Sequence, residues 1–125
     1  MYELTVRSEF AAAHRLRGYG GSCENLHGHN WRVELHLAGE KLDELGLLVD
    51  FRDVKGALRA ALDELDHTYL NDVPPFDSAN PTTENLSRFL YERLSAAMPD
   101  GVRVRKVVLW ESDGCGGAYV PDGDC

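Results

Sequence analysis

A chain of 125 residues suffices for one hydrophobic core and has no room for a second catalytic module, so a single domain over residues 1–125 is expected. Its 43% hydrophobic and 27% charged residues, with 12 glycines and 5 prolines scattered without period, exclude the disordered and fibrous classes. Its 21 acidic against 13 basic residues leave a formal charge of −8, which repels phosphate backbones and anionic membranes, so no nucleic-acid or membrane partner is expected; a metal or a few local cations still admit an anionic small molecule.

No stretch approaches the roughly 18 apolar residues of a membrane span. The opening MYELTVRSEF alternates polar and apolar residues from its second position, without basic leader or signal core, so export is not expected. Three cysteines, Cys23, Cys115 and Cys125, are too few for a disulfide framework and suit a reducing cytoplasm. Tyr2, Leu4, Val6, Phe10 and Ala12 share one parity and Glu3, Thr5, Arg7 and Glu9 the other, which predicts a half-buried strand from Tyr2 to Ala13. Arg17 to Asn25 is glycine-rich and reads as a loop. From His29, Trp31, Val33, Leu35 and Leu37 alternate with Arg32, Glu34 and His36 as a second strand. Asp50 is placed to cap a helix with Phe51, Val54, Leu58, Ala61, Leu62 and Leu65 on its apolar stripe, ending near Asp66. Turn residues run from Asn71 to Pro81. Thr82 or Thr83 then caps a second helix, whose buried stripe is Leu86, Phe89, Leu90, Leu94 and Ala97. Pro99, Asp100 and Gly101 end it. In the third strand Val102, Val104, Val108 and Trp110 alternate with Arg103, Arg105, Val107, Leu109 and Glu111, and a short fourth strand covers Ala118 to Val120. The order strand, strand, helix, helix, strand, strand is an α+β pattern.

The densest chemistry lies in CENLHGH. His27 and His29, two residues apart at the entry to the second strand, project to one face. His29 has the parity of Trp31, Val33 and Leu35, and His14 that of Leu4, Val6, Phe10 and Ala12. Pairing the strands as a hairpin therefore brings three imidazoles together on the apolar side. Three neutral imidazoles suit zinc at about 2.0–2.1 Å and leave a fourth position open, the usual arrangement of a catalytic ion. An isolated HxH is more often two unrelated histidines, and the third in-phase histidine favours the metal. His36 has the opposite parity and is left out. Cys23 admits two readings: a fourth ligand that joins the three histidines and closes the shell around structural zinc, or a free thiolate acting as base or nucleophile. Cys115 and Cys125 are assigned no role. Asp66 and His67 fall at the predicted helix end, where a carboxylate beside an imidazole makes a proton relay, although such pairs more often serve as caps and surface hydrogen bonds. Glu111 is expected to be buried and to need a donor, from an arginine or from a ligand.

Together these segments resemble the 6-pyruvoyl-tetrahydropterin synthase and 6-carboxytetrahydropterin synthase family over nearly the whole chain. The family's first-strand histidine is matched by His14 in FAAAHRL, CxxxHGH by CENLHGH, GxVxDFxxLK by GLLVDFRDVK, LDHxxLN by LDHTYLN, PTxENL by PTTENL, and its late-strand glutamate by Glu111. The resemblance implies a tunnelling fold (T-fold), a ββααββ subunit with an antiparallel sheet and two helices on one face. It also implies trimers whose strands close a barrel, stacked in pairs as a homohexamer with active sites between subunits. His14, His27 and His29 would hold Zn2+, Cys23 would be the general base, and Asp66 and His67 its relay, from the same or a neighbouring subunit. Glu111 would accept hydrogen bonds from the pterin, with Thr82 or Thr83 adding to ring recognition. The implied reaction converts 7,8-dihydroneopterin triphosphate to 6-carboxy-5,6,7,8-tetrahydropterin, acetaldehyde and triphosphate, feeding deazaguanine (queuosine-type) synthesis. Three residues between Cys23 and His27 resemble the carboxy-forming branch more than the pyruvoyl branch. Glu24 makes CENLHGH also satisfy ExxHGH, the pattern of a folate-linked branch that cleaves dihydroneopterins to 6-hydroxymethyl-7,8-dihydropterin; there Glu24 would be a second catalytic carboxylate. Arg15 and Arg17 are the cations nearest to a proposed ligand for a triphosphate, though solvated surface roles suit them equally. The non-enzymatic alternative is a zinc- or pterin-binding protein with Cys23 as fourth ligand.

Overall fold

In the computed structural model, residues 1–21 and 25–122 are described. Strands β1 (Tyr2–His14) and β2 (His27–Gly39) precede helix α1 (Phe51–Asp63). A two-residue β3 (Thr68–Tyr69) and a 3₁₀ turn (Leu70–Asp72) lead to α2 (Thr83–Ala97), β4 (Arg103–Trp110) and β5 (Gly116–Tyr119). The sheet runs β3-β1-β2-β4-β5, antiparallel except where β3 pairs parallel with β1.

Alternation explains the layers. Val6, Phe10 and Ala12 of β1 and Trp31, Val33, Leu35 and Leu37 of β2 are buried, and they pack with Val54, Leu58 and Leu62 of α1 and Leu86, Leu90 and Leu94 of α2 in one core. The residues between them, such as Arg7, Glu9 and Arg32, face away from the helices and stay exposed. Asp50 caps α1 by accepting the Arg52 N–H at 2.8 Å, and Thr82, rather than Thr83, caps α2 by accepting the Asn85 N–H at 3.1 Å.

Several expectations are corrected. Strict alternation in β4 separates Val104 from Val107, yet both are buried, because the β2–β4 register shifts between His36 and Leu37 and returns Val104 to the core face. Helix α1 ends at Asp63, so Asp66 and His67 lie in the turn that follows, and β3 there is too short to leave a periodic signal. Phe51 and Ala97, placed on the buried stripes, are exposed at the first and last helical positions, where the helix has passed the edge of the core. The last strand begins at Gly116 and ends at Tyr119, ahead of its expected span.

Candidate metal centre

The antiparallel register sets His14 directly opposite His27 and Ala12 opposite His29. All three histidines therefore share the core face of the hairpin, just beyond the stacked Phe10–Trp31 pair that ends the apolar interior. Their ring centroids are 4.6 Å (His14–His27), 4.8 Å (His27–His29) and 5.2 Å (His14–His29) apart. His14 is 1% exposed. Trp31, fully buried, sets its ring edge-on to both His14 and His29, at 5.0 and 5.2 Å, and its indole N–H donates to the Ala12 carbonyl at 3.3 Å.

The outward nitrogens are assigned by their partners. His14 Nδ1 donates to the Pro81 carbonyl at 2.8 Å and His27 Nδ1 to the Asn25 carbonyl at 2.7 Å. A carbonyl oxygen only accepts, so in the neutral ring each Nε2 carries the lone pair. The fourth member is Glu111, just past β4. Its Oε1 lies 3.2 Å from His14 Nε2 and 3.0 Å from His29 Nε2. It lies off the line along which either ring N–H would point, so both buried Nε2 atoms lack a hydrogen-bond partner. One ligand atom from each of His14, His27, His29 and Glu111 falls within 4.8 Å of the other three. Buried nitrogens without hydrogen bonds, gathered around one point with a carboxylate, are a donor set that can hold a divalent metal such as zinc. Burial, together with the neighbouring His14 and His27, holds the His29 imidazole below its ordinary pKa against the pull of Glu111. The ring is thereby kept in the neutral form that a metal requires.

The remaining predicted residues are distributed around this centre. Asp66 Oδ1 accepts the Ala11 N–H at 2.9 Å and lies 3.0 Å from His67 Nδ1, while Oδ2 faces Arg59 Nη2 at 3.9 Å. The Ala11 N–H foremost, with His67 and Arg59, holds the Asp66 carboxyl below the usual range against some desolvation. His67 stands in the left-handed region, φ 59°, rare for a side chain with Cβ. Its N–H bonds the Ala11 carbonyl at 2.6 Å, and its ring is 82% exposed. His29 and His67 line the same open cleft of about 410 Å3, walled by Ala12 and Gly28. Thr82 serves as the α2 cap beside Pro81, and Thr83 lies near Gly117 of β5, 3.4 Å from where a Cβ there would sit. Cys23, Glu24 and Cys125 lie outside the described residues, and Cys115 is exposed. His36 is occupied elsewhere, between Glu34 at 3.0 Å and Thr5 at 3.2 Å.

The sequence left the supports unseen. Asn71 pairs reciprocally with the Arg15 backbone, N–H and carbonyl both at 3.0 Å, and Asn80 does the same for Arg17. The Arg17 guanidinium donates to the carbonyls of Asn71 (3.2 Å), Phe76 (2.8 Å) and Ala79 (3.4 Å), so it serves the fold. Two side-chain amides thus stand in for a strand beside the segment after His14, and only the run of Asn and Pro in 71–81 hinted at it.

The family model described as 6-pyruvoyl tetrahydropterin synthase matches residues 3–122. The 6-carboxy-5,6,7,8-tetrahydropterin synthase of Aquifex aeolicus is 32% identical, over 89% of this chain and 93% of its own. The dihydroneopterin monophosphate aldolase of Pyrococcus furiosus is 34% identical, over 88% and 90%. The solved 6-pyruvoyl tetrahydropterin synthase of Caenorhabditis elegans superposes with a TM-score of 0.87 at 27% identity, covering 97% of this chain and 96% of that one. That match carries the ββααββ subunit of the T-fold, and the family model spans all three histidines and Glu111. The chain belongs to the 6-pyruvoyl tetrahydropterin synthase family.

Proposed function

We propose that this protein is a zinc-dependent 6-carboxy-5,6,7,8-tetrahydropterin synthase, converting 7,8-dihydroneopterin triphosphate to 6-carboxytetrahydropterin, acetaldehyde and triphosphate for queuosine-type deazaguanine synthesis. The observation that carries the reading is the pair of buried Nε2 atoms without hydrogen bonds, in a chain similar along its length to enzymes of that name. His14, His27 and His29 hold the zinc, which when bound lowers the cost of deprotonating the side-chain hydroxyls of a dihydropterin. Pro81 and Asn25 fix the tautomers of His14 and His27, so each ring offers its lone pair without a proton to shed.

Cys23 takes the proton from the substrate side chain as a thiolate. Asp66 holds His67 through Nδ1, which leaves Nε2 of that ring to exchange protons at the cleft. The exposure of the His67 ring suits an active site completed by a neighbouring subunit, in a homohexamer of two stacked trimers. Glu111 accepts from the pterin amino and ring N–H groups, and Thr82 and Thr83 border the same end of α2. The cytoplasm is the proposed compartment, in keeping with the unbridged Cys115; no helix among the described residues is long and apolar enough to cross a membrane.

A second reading, cleavage to 6-hydroxymethyl-7,8-dihydropterin for folate synthesis with Glu24 as catalytic carboxylate, is favoured by the Pyrococcus furiosus relative. Anaerobic incubation of the zinc-loaded protein with 7,8-dihydroneopterin triphosphate, with products identified by mass spectrometry, decides. 6-Carboxytetrahydropterin with acetaldehyde is expected. 6-Hydroxymethyldihydropterin selects the second reading, 6-pyruvoyltetrahydropterin the pyruvoyl branch, and no turnover a non-enzymatic zinc- or pterin-binding protein.

A further inference from the structure

We infer that Glu111 is itself the fourth metal ligand in the substrate-free protein, and that substrate enters by exchanging with it. The second clause rests on the proposed pterin chemistry; the first rests on geometry alone. A tetrahedral ion with bonds of about 2.0 Å holds its donor atoms about 3.3 Å apart. Glu111 Oε1 stands 3.2 and 3.0 Å from the Nε2 atoms of His14 and His29, close to that spacing. The approach angles matter as much as the lengths. A carboxylate that paired with imidazolium would lie along the N–H direction, and Glu111 does not, whereas a shared ion needs each donor aimed at a common point and not at its neighbour.

The anchoring of the four ligands is unequal. His14 and His27 are each tied through Nδ1 to a backbone carbonyl, and His14 and His29 both rest against the Trp31 ring. Among the described residues the Glu111 carboxylate has no polar partner apart from the two imidazoles, and its side chain is 30% exposed at the end of β4. Two histidines are tied by hydrogen bonds and the third is packed on Trp31, while Glu111 has neither support, so an incoming oxygen donor displaces Glu111 and leaves the histidines in place. The freed carboxylate is then available to accept N–H groups of the same ligand. One residue thus closes the shell at rest and binds the substrate in the complex.

The test is made on the full chain loaded with Co2+, whose visible absorption reports ligand number and type. The substrate-free spectrum should be that of a four-coordinate nitrogen–oxygen site. Glu111→Gln should lower metal affinity by about tenfold or more, in the range seen when a polar partner of a metal site is lost, and should shift the visible bands. Adding 7,8-dihydroneopterin should shift the wild-type bands without releasing cobalt. A crystal structure of the zinc-loaded, substrate-free protein should place a Glu111 oxygen about 2.0–2.2 Å from the metal. A cysteine charge-transfer band that disappears in Cys23→Ala, or a water in the fourth position with unchanged affinity in Glu111→Gln, overturns the inference. If the spectra behave as expected and no pterin product forms, the ligand assignment stands and the proposed reaction falls. Turnover without any spectral response to the pterin refutes the exchange instead.

Discussion

At the scale of single residues, two histidines of one strand provide an internal contrast. His27 and His36 both belong to β2, but the first lies on the core face with a free Nε2 and the second on the opposite face, bonded to Glu34 and Thr5. His27→Ala should lose stoichiometric zinc, and His36→Ala should keep it; metal content after dialysis, read by atomic emission, checks both, and loss in the second variant would remove the assignment by face. Asp66 answers to pH. Its carboxyl is held below the ordinary value of 3.8, so ionised Asp66 contributes stability that is fully present above that value and is lost as pH falls through its lower folded value. Asp66→Asn should therefore unfold at lower urea than the wild type at pH 7, with the gap narrowing below about pH 4. A gap that stays constant to pH 2 would mean that the charge is not what Asp66 contributes.

At the scale of elements, strand parity made His14 and His29 legible, because a period of two leaves only two faces and the apolar residues name the inner one. It could not reveal how β4 meets β2, since the register shift at His36/Leu37 is set by pairing across the sheet and leaves no mark in the alternation. The exit of α1 was misplaced for a related reason: Leu65 is fully buried although it lies beyond the last helical residue, so apolar spacing outruns the helix. Close packing at the strand ends is similarly invisible to pattern. A Cβ on Gly39 would stand 2.6 Å from the Gly101 carbonyl oxygen and would also meet Leu48 Cδ1, and the backbone atom cannot step aside. Gly39→Ala should cost about 1–3 kcal/mol, measured as a fall in the urea midpoint. Thr82→Ala should cost about 1 kcal/mol through the lost α2 cap. It should also weaken zinc binding, because the adjacent Pro81 carbonyl orients His14; unchanged affinity would show that the cap and the ligand are uncoupled.

At the scale of the molecule, the ordered motifs carry the fold and most of the candidate centre, since His14, His27, His29 and Glu111 are separated in sequence and meet only if the sheet folds as its alternation requires. The amide pairing of Asn71 and Asn80 was not legible, because side chains that mimic backbone carry no periodicity. A two-residue β3 at one edge and a four-residue β5 at the other leave short open borders on a five-stranded sheet, which assembly would cover. Sedimentation equilibrium should return six times the 13.9 kDa of one chain, and a monomer would count against an active site shared between subunits.

The placement of Trp31 gives the protein a built-in optical gauge. The only other tryptophan is Trp110, and Trp31 lies within 5.2 Å of two imidazoles of the candidate centre, sealed from solvent. In a Trp110→Phe background, all indole emission arises beside the candidate metal centre. Cobalt, an open-shell paramagnetic ion at contact distance from the ring, should darken it in proportion to occupancy, while closed-shell zinc should leave it bright. Loading could then be followed continuously in dilute solution, without label or substrate.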